Sequence, residues 1–382
     1  MPQRRLKYLN LLLYPLLLLG LPLAGVMING GAIAPYLQFP PQTEYVAQQP
    51  FSWAVFVGMA LFIAGAVFPF FRSWWRYFRE AGSKLKGEGA TFTGAAKPFP
   101  WWGWLGIVLG ILIWILAWTR FDWFSPFQRY TFSPLWLCYI VVMNALLYKK
   151  RGWSFLTHQT GYFLALFVVS AIFWWFFEYL NRFVGNWYYL EVNTLSAWAY
   201  FWEATLPFAT VLPAVLSTQH FLYSFPAFRK PFSFNYKLHW IGKKTIWLAI
   251  GIIASAGLLA IPIYPHFLFP LLWVAPLILW VTLQVFRGYI NPLLSELKKG
   301  RWQLVWSSAM AALICGFFWE MWNFYSLSKW IYSIPYVEAF YIFEMPILGY
   351  AGYLPFGLEC VVIGESLARL WGIKLFDVAG KR

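Results

Sequence analysis

Long apolar stretches separated by short basic segments constrain this chain more than any other feature of its sequence. Hydrophobic residues make up 61% of the 382 residues, and charged residues make up only 11%, whereas about 25% of a soluble domain is charged. So little charge cannot cover a water-facing surface of this size, and the hydrophobic content is too high for a disordered chain. The composition therefore predicts an integral membrane protein with many spans.

Ten stretches are close to the roughly 20 apolar residues that a membrane-spanning helix needs. Helices are expected because a backbone in lipid must satisfy its own hydrogen bonds. The predicted fold class is all-α, a polytopic transmembrane helix bundle of about ten spans. The spans are approximately Tyr8–Met27, Phe51–Phe71, Trp101–Trp118, Phe132–Tyr148, Tyr162–Asn181, Trp198–Leu216, Ile246–Tyr264, Phe267–Phe286, Leu304–Phe324 and Phe343–Ile363.

The positions of Lys and Arg predict the orientation of these spans. If the N-terminus is cytoplasmic, 25 of the 29 Lys and Arg residues fall on the cytoplasmic side, which agrees with the positive-inside rule. We therefore expect a multi-pass protein of the cytoplasmic (inner) membrane with both termini in the cytoplasm. The net charge of +15 then belongs to the loops, so the lipid bilayer is the expected partner and nucleic acid is not. The first apolar run is longer than the h-region of about 7–15 residues in a signal peptide, which favours an uncleaved helix.

Two segments resemble each other at a spacing close to 142 residues. The run FFEYLNRFVGNWYY, which contains Glu178 and Asn181, matches FWEMWNFYSLSKWIYSIPY, which contains Glu320 and Asn323. The match predicts a tandem parallel four-helix repeat whose copies are related by a twofold axis along the membrane normal, as in some transporters. The predicted divisions are 1–97 for two N-terminal helices and a basic loop, 98–240 for the first repeat, and 241–382 for the second repeat and a cytoplasmic tail.

Four acidic residues occupy corresponding places within or at the outer ends of apolar helices. A carboxylate at membrane depth costs roughly 3 kcal/mol or more, so an intramembrane acid is a candidate functional residue. Residues three apart share one face of a helix, which pairs a carboxylate with an amide in each repeat. The predicted catalytic residues are Glu178, Asn181, Glu203, Glu320, Asn323 and Glu344.

An outer loop with a Trp-x-Tyr pattern follows the acid–amide pair in each repeat. Under the twofold relation, four carboxyl groups and two amides surround one outward-facing cavity. Like charges in a poorly hydrated site cannot all ionise, a protonated carboxyl is a general acid, and aromatic faces stabilise a cation. The predicted substrate-binding residues are Trp187, Tyr189, Trp330 and Tyr332.

Three functions fit this pattern, and the sequence leaves open whether the protein is an enzyme. The first is an enzyme or binding protein for a lipid or isoprenoid-like molecule. The second is a transporter that uses the same acids as a proton or cation site. The third is a structural subunit whose acids hold the repeats together, and Arg182 and Lys329 would be their ion-pair partners. No cofactor or metal is predicted, because the four His are scattered and the three Cys lack zinc-ligand spacing.

The last 70 residues, and more faintly 170–215, resemble a tryptophan-rich family of bacterial membrane proteins of unassigned function. The run that carries this resemblance is FWEMWNFYSLSKWIYSIPY followed by FEMPILGYAGYLPFGLEC. Gly352-Tyr353-Leu354-Pro355 is also similar to the start of a Gly-Tyr-x-Pro-x-Glu-Glu-like element of membrane lycopene cyclases. The paired acids of that element do not follow, since Gly357 and Leu358 precede a single Glu359. This second resemblance implies an isoprenoid-like substrate.

Overall fold

A computed structural model describes residues 2–41, 44–84, 97–232 and 236–376, and this part of the chain consists of helices, four short strands and the loops that connect them. The helices are α1 (Pro2–Ile28), α2 (Ala34–Leu37), α3 (Trp53–Lys84), α4 (Trp101–Trp118), α5 (Phe132–Arg151), α6 (Phe155–His158), α7 (Thr160–Val184), α8 (Ala197–Ala209), α9 (Val211–Tyr223), α10 (Lys244–Ala260), α11 (Pro265–Leu268), α12 (Leu271–Phe286), α13 (Pro292–Lys298), α14 (Gln303–Phe324) and α15 (Tyr353–Leu370). The strands are β1 (Trp187–Tyr189), β2 (Trp330–Tyr332), β3 (Tyr341–Ile342) and β4 (Met345–Pro346).

Seven helical segments of the described residues are long and apolar enough to cross a membrane, which confirms the predicted all-α membrane bundle. One of them comprises α8 and α9 together, and another joins a 3-10 helix to α15. Three more apolar helices are shorter than 18 residues. These are Leu12–Ile28, Lys244–Ala260 and Leu271–Phe286.

The sixth predicted span is a helix broken at Thr210, between α8 and α9. Pro207 and Pro213 lie on either side of the break, and proline lacks the N–H that a continuous helix requires. Ser170 of α7 repairs the break, because its Oγ donates to the Phe208 carbonyl at 2.6 Å and accepts from the N–H of Leu212 at 3.0 Å. A neighbouring helix thus satisfies the backbone groups that the break frees, as a span in lipid needs.

The tenth predicted span differs from the structure at its N-terminal end. Strands β3 and β4 form a hairpin in which Ile342 pairs with Met345, and a 3-10 helix (Ile347–Gly352) follows before α15 begins. Phe343 at the turn has φ +56°, which a helix excludes. The helix expected from Phe343 therefore begins ten residues later, at Tyr353.

Helices α7, α9, α14 and α15 form the centre of the bundle, where small residues allow close packing. A Cβ atom on Gly357 of α15 would lie 2.1 Å from the Ser308 carbonyl oxygen of α14, and one on Gly316 would lie 2.3 Å from the Tyr353 ring. Such contacts are typical of membrane helices, whose association depends on packing rather than on the hydrophobic effect.

Helix α3 lies at the edge of the bundle, and none of its residues from Trp53 to Glu80 is buried. Aromatic contacts hold it near both ends. The Phe56 ring lies 5.5 Å from the Phe340 ring, and the Phe70 ring stacks on Trp306 at 5.2 Å. Between these contacts, α3 presents apolar side chains such as Leu61 and Phe62 to the surroundings.

Gly357→Ala should destabilise the protein, because the added methyl group meets the backbone of α14 rather than a flexible side chain. Overpacking of this kind costs about 1–3 kcal/mol, which thermal unfolding in detergent measures. The matched control is Gly58→Ala in α3, where a Cβ would meet nothing within 4 Å. A larger fall in Tm for Gly58→Ala than for Gly357→Ala would contradict the packing described here.

Candidate functional site

Asn181 and Asn323 connect a long helix to the strand that follows it. The Asn181 side chain donates to the Trp187 carbonyl at 2.7 Å and accepts from the N–H of Asn186 at 2.8 Å. Asn323 donates to the Trp330 carbonyl at 2.8 Å and accepts from the Trp330 N–H at 3.0 Å. Each amide therefore satisfies backbone groups of the loop and fixes the path of the chain from helix to strand.

The carboxylate of Glu178 is buried, with 4% of the residue exposed, and three side chains donate to it. Its Oε1 accepts hydrogen bonds from Tyr189 Oη at 2.6 Å and from Trp187 Nε1 at 3.1 Å. The third donor is Trp174 Nε1 at 3.0 Å, one helical turn earlier in α7. The Trp-x-Tyr pattern after the acid thus supplies two of the donors that a buried carboxylate requires.

Glu320 has no exposed surface, and its surroundings are similar to those of Glu178 but not identical. Its Oε1 accepts from Tyr332 Oη and Tyr353 Oη, both at 2.7 Å. Trp330 donates to the Tyr332 hydroxyl at 2.9 Å rather than to the acid. Within the described residues the second oxygen, Oε2, is buried and has no hydrogen-bond partner.

Strands β1 and β2 join the loops that follow α7 and α14 as an antiparallel pair. Trp187 lies opposite Tyr332, and Tyr189 lies opposite Trp330. Burial, followed by the nearby Glu178 carboxylate, raises the pKa of Tyr189 well above its usual range, and burial and Glu320 do the same to the pKa of Tyr332. Both hydroxyls therefore remain protonated donors at neutral pH.

Glu203 and Glu344 lie nearer the surface, and each pairs with a basic residue. Arg129 Nε lies 3.5 Å from Glu203 Oε2, and Tyr130 donates to the same carboxylate at 3.4 Å. Lys329 forms an ion pair with Glu344.

The positions of Glu344 and Arg182 differ from the sequence prediction. Glu203 lies in α8 as expected, but Glu344 lies in the turn of the β3–β4 hairpin and not near the start of a helix. Lys329 pairs with an acid as predicted, whereas Arg182 donates to the carbonyls of Tyr36 and Gln38, each at 2.8 Å.

Each predicted acid contacts its own partners, and within the described residues no hydrogen bond or ion pair joins two of the four acids. Aromatic rings fill the region between α7 and α14. The Trp174 and Trp319 rings lie 6.2 Å apart, and Phe356 contacts both, at 5.6 and 6.2 Å. Two surface cavities of about 610 and 260 Å³ are lined by other residues. The shared outward-facing cavity stays a prediction.

Four partners of the acids were not predicted from the sequence. Trp174 could have been found, because a residue four positions before Glu178 lies on the same helix face. Tyr353, Arg129 and Tyr130 come from other elements, and no sequence spacing links them to their acids.

Glu359 is a further buried carboxyl, to which sequence analysis assigned no role. It is 1% exposed, Tyr14 Oη lies 3.5 Å from its Oε1, and its Oε2 has no partner among the described residues. At the repeat spacing of 142 residues its counterpart is Ser217, which accepts a hydrogen bond from Asn144 at 3.0 Å. The two positions therefore have different surroundings.

Neither the metal-ligating side chains nor the comparisons with known proteins assign a function to this site. Among the described residues, no group of three His, Cys, Asp or Glu side chains could hold a metal ion. No family model, no curated protein and no solved structure matches the chain.

Tyr189→Phe and Tyr332→Phe should each lower stability, because each removes a donor from a buried carboxylate and leaves the ring in place. Loss of a partner from a buried polar group costs about 1–3 kcal/mol, which thermal unfolding in detergent measures. Tyr188→Phe is the matched control, since its hydroxyl makes no hydrogen bond within the described residues and it occupies the same strand. Equal Tm values for all three variants would show that the hydroxyl–carboxylate contacts contribute nothing.

Proposed function

We propose that the chain is a ten-span protein of the cytoplasmic (inner) membrane with both termini in the cytoplasm. The seven long apolar helices and the three shorter ones lie at the ten predicted stretches, which supports this count. The placement of 25 of the 29 Lys and Arg residues on one side under this topology supports the orientation.

The same proposal includes a duplication, with residues 98–240 and 241–382 as copies that follow two N-terminal helices in 1–97. Corresponding helices have corresponding neighbours. Helix α4 packs on α5 as α10 packs on α12, and α7 packs on α9 as α14 packs on α15. The register of β1 and β2 also supports a twofold relation, because Trp of each strand lies opposite Tyr of the other.

Within this framework the protein binds a lipid or isoprenoid-like molecule and, as an enzyme, converts it. Glu320 is the acidic group that acts on this molecule. One observation carries this proposal, namely the buried Glu320 Oε2 without a partner beside an Oε1 that two tyrosines hold. A carboxyl oriented in this way can donate a proton or face a developing cation. The rings of Trp319, Tyr353 and Phe356 lie next to each other around this position, and aromatic faces stabilise cations.

The other predicted residues then have supporting roles. Glu178 and the two asparagines hold the loops that carry Trp187, Tyr189, Trp330 and Tyr332, and these rings provide apolar contact area for the molecule. Glu203 and Glu344, with their basic partners, lie at the outer end of the site. The similarity of residues 352–355 to an element of membrane lycopene cyclases supports an isoprenoid-like molecule over a polar one.

A second candidate is a structural subunit in which the acids only hold the two halves together. The observation in its favour is that all four acids already have partners within the protein, two of them in ion pairs. Under this function Glu320 is a structural counterpart of Glu178.

Glu320→Gln and Glu178→Gln distinguish the two candidates, because both replace a buried acid with an amide of similar shape. The wild type and both variants are purified in detergent, apolar molecules that co-purify are quantified by mass spectrometry, and Tm is measured. If Glu320 binds a ligand, Glu320→Gln should lower the co-purified molecule at least about tenfold, which corresponds to about 1.4 kcal/mol. Glu178→Gln should instead lower Tm and reduce the amount of co-purified molecule less than Glu320→Gln does.

Other results would contradict the lipid-binding proposal. Unchanged co-purification, with equal falls in Tm for both variants, favours the structural subunit. A third result favours a proton-coupled transporter. In that case the wild type takes up protons into liposomes and co-purifies with no apolar molecule, and Glu320→Gln abolishes the proton uptake.

A further inference from the structure

A basic cavity forms where two segments outside the long helices meet. One segment precedes α10, and the other contains α13 and leads to α14. Backbone contacts hold them together, since the N–H of Leu238 donates to the Leu297 carbonyl at 3.2 Å and Trp302 Nε1 donates to the Tyr236 carbonyl at 3.1 Å. Asn291 caps α13 by accepting from the N–H of Leu294 at 2.9 Å, which fixes the direction of this short helix.

The cavity has a volume of about 610 Å³, which is large enough for a phosphate and the group attached to it. Four of its lining residues are basic, and one carries a hydroxyl. The lining residues are Lys237, His239, Ile290, Ser295, Lys298 and Lys299.

The charge of this cavity is only partly neutralised by the described residues. Glu296 is the adjacent acid, but it is buried, and its two oxygens face Lys299 at 3.1 Å and Arg301 at 3.5 Å. No carboxylate of the described chain forms an ion pair with Lys237 or Lys298. Two lysines therefore face the cavity with their charges uncompensated, which favours an anionic ligand.

Exposed aromatic residues beside the cavity indicate its depth. Tyr236 is 77% exposed and Trp240 is 36% exposed, and such residues are enriched at the boundary between lipid and water. Trp240 also contacts Trp247, in the second turn of α10, at 5.8 Å between ring centroids. The cavity thus lies at the end of an apolar helix, and under the topology proposed above, on which this inference rests, that end is at the level of lipid head groups.

We propose that this cavity is a binding site for a phosphate-bearing anion, with Lys237 and Lys298 as its principal charged contacts. Lysine binds phosphate as a point charge, and the hydroxyl of Ser295 adds a hydrogen bond. The phosphate belongs either to the head group of an anionic phospholipid or to a soluble phosphate compound. Basic pockets at the ends of transmembrane helices bind anionic head groups in this way.

The test compares Lys237→Gln/Lys298→Gln with Lys243→Gln/Lys244→Gln in the full chain. The control pair removes the same charge from the start of α10, and its lysines are exposed but do not line the cavity. Native mass spectrometry of the detergent-solubilised protein measures binding of phosphatidylglycerol, with phosphatidylcholine as the neutral-lipid comparison. A parallel titration with glycerol phosphate and inorganic phosphate measures binding of soluble anions.

We expect the wild type to retain phosphatidylglycerol over phosphatidylcholine. The cavity variant should bind it about 30-fold more weakly, because each lysine near an anionic head group contributes about a factor of five. The control variant should weaken phosphatidylglycerol binding by less than about tenfold, a third of the loss in the cavity variant. Binding of the soluble phosphates that depends on the same two lysines, without retention of lipid, would support the phosphate site and identify a water-soluble ligand. Equal losses in the two variants, or no anion binding by the wild type, would overturn the proposal.

Discussion

The cost of burying a carboxylate away from water constrains the centre of this protein. Glu178 and Glu320 lie inside a bundle whose other side chains are largely apolar, so their negative charge needs donors from the protein itself. Indole and phenol groups provide these donors while adding apolar surface to the core. The requirement explains why tryptophan and tyrosine, rather than lysine or arginine, surround these two acids, and why the loops after α7 and α14 must fold back over the helix ends.

The sequence predicted the helices well because lipid imposes a simple rule on them. A run of apolar residues of the right length must be helical, and the bounds of α4 agree with the predicted Trp101–Trp118 at both ends. The local contacts of Asn181, Asn323 and the Trp-x-Tyr loops also follow from short sequence separations. These features depend on residues that are close in sequence, so a sequence pattern can predict them.

Features that depend on distant elements were not predictable in the same way. Tyr353 reaches Glu320 from another helix, and Arg129 reaches Glu203 from a 3-10 helix before α5. The hairpin around Glu344 was mistaken for helix because its residues are as apolar as those of a span, and hydropathy does not report the positive φ of Phe343. The different use of the matched acids, with indole bonding directly to Glu178 but through Tyr332 to Glu320, is also a three-dimensional property.

The pairing of β1 with β2 has a mechanical consequence for the helices that precede them. The ladder extends beyond the strands, since the N–H of Ser333 donates to the Asn186 carbonyl and the N–H of Leu190 donates to the Lys329 carbonyl, each at 2.8 Å. These bonds fasten the strand-bearing ends of α7 and α14 to one another. Any tilting of one helix against the other must then pivot at the fastened end, so that the displacement grows toward the opposite ends, near Thr160 and Gln303.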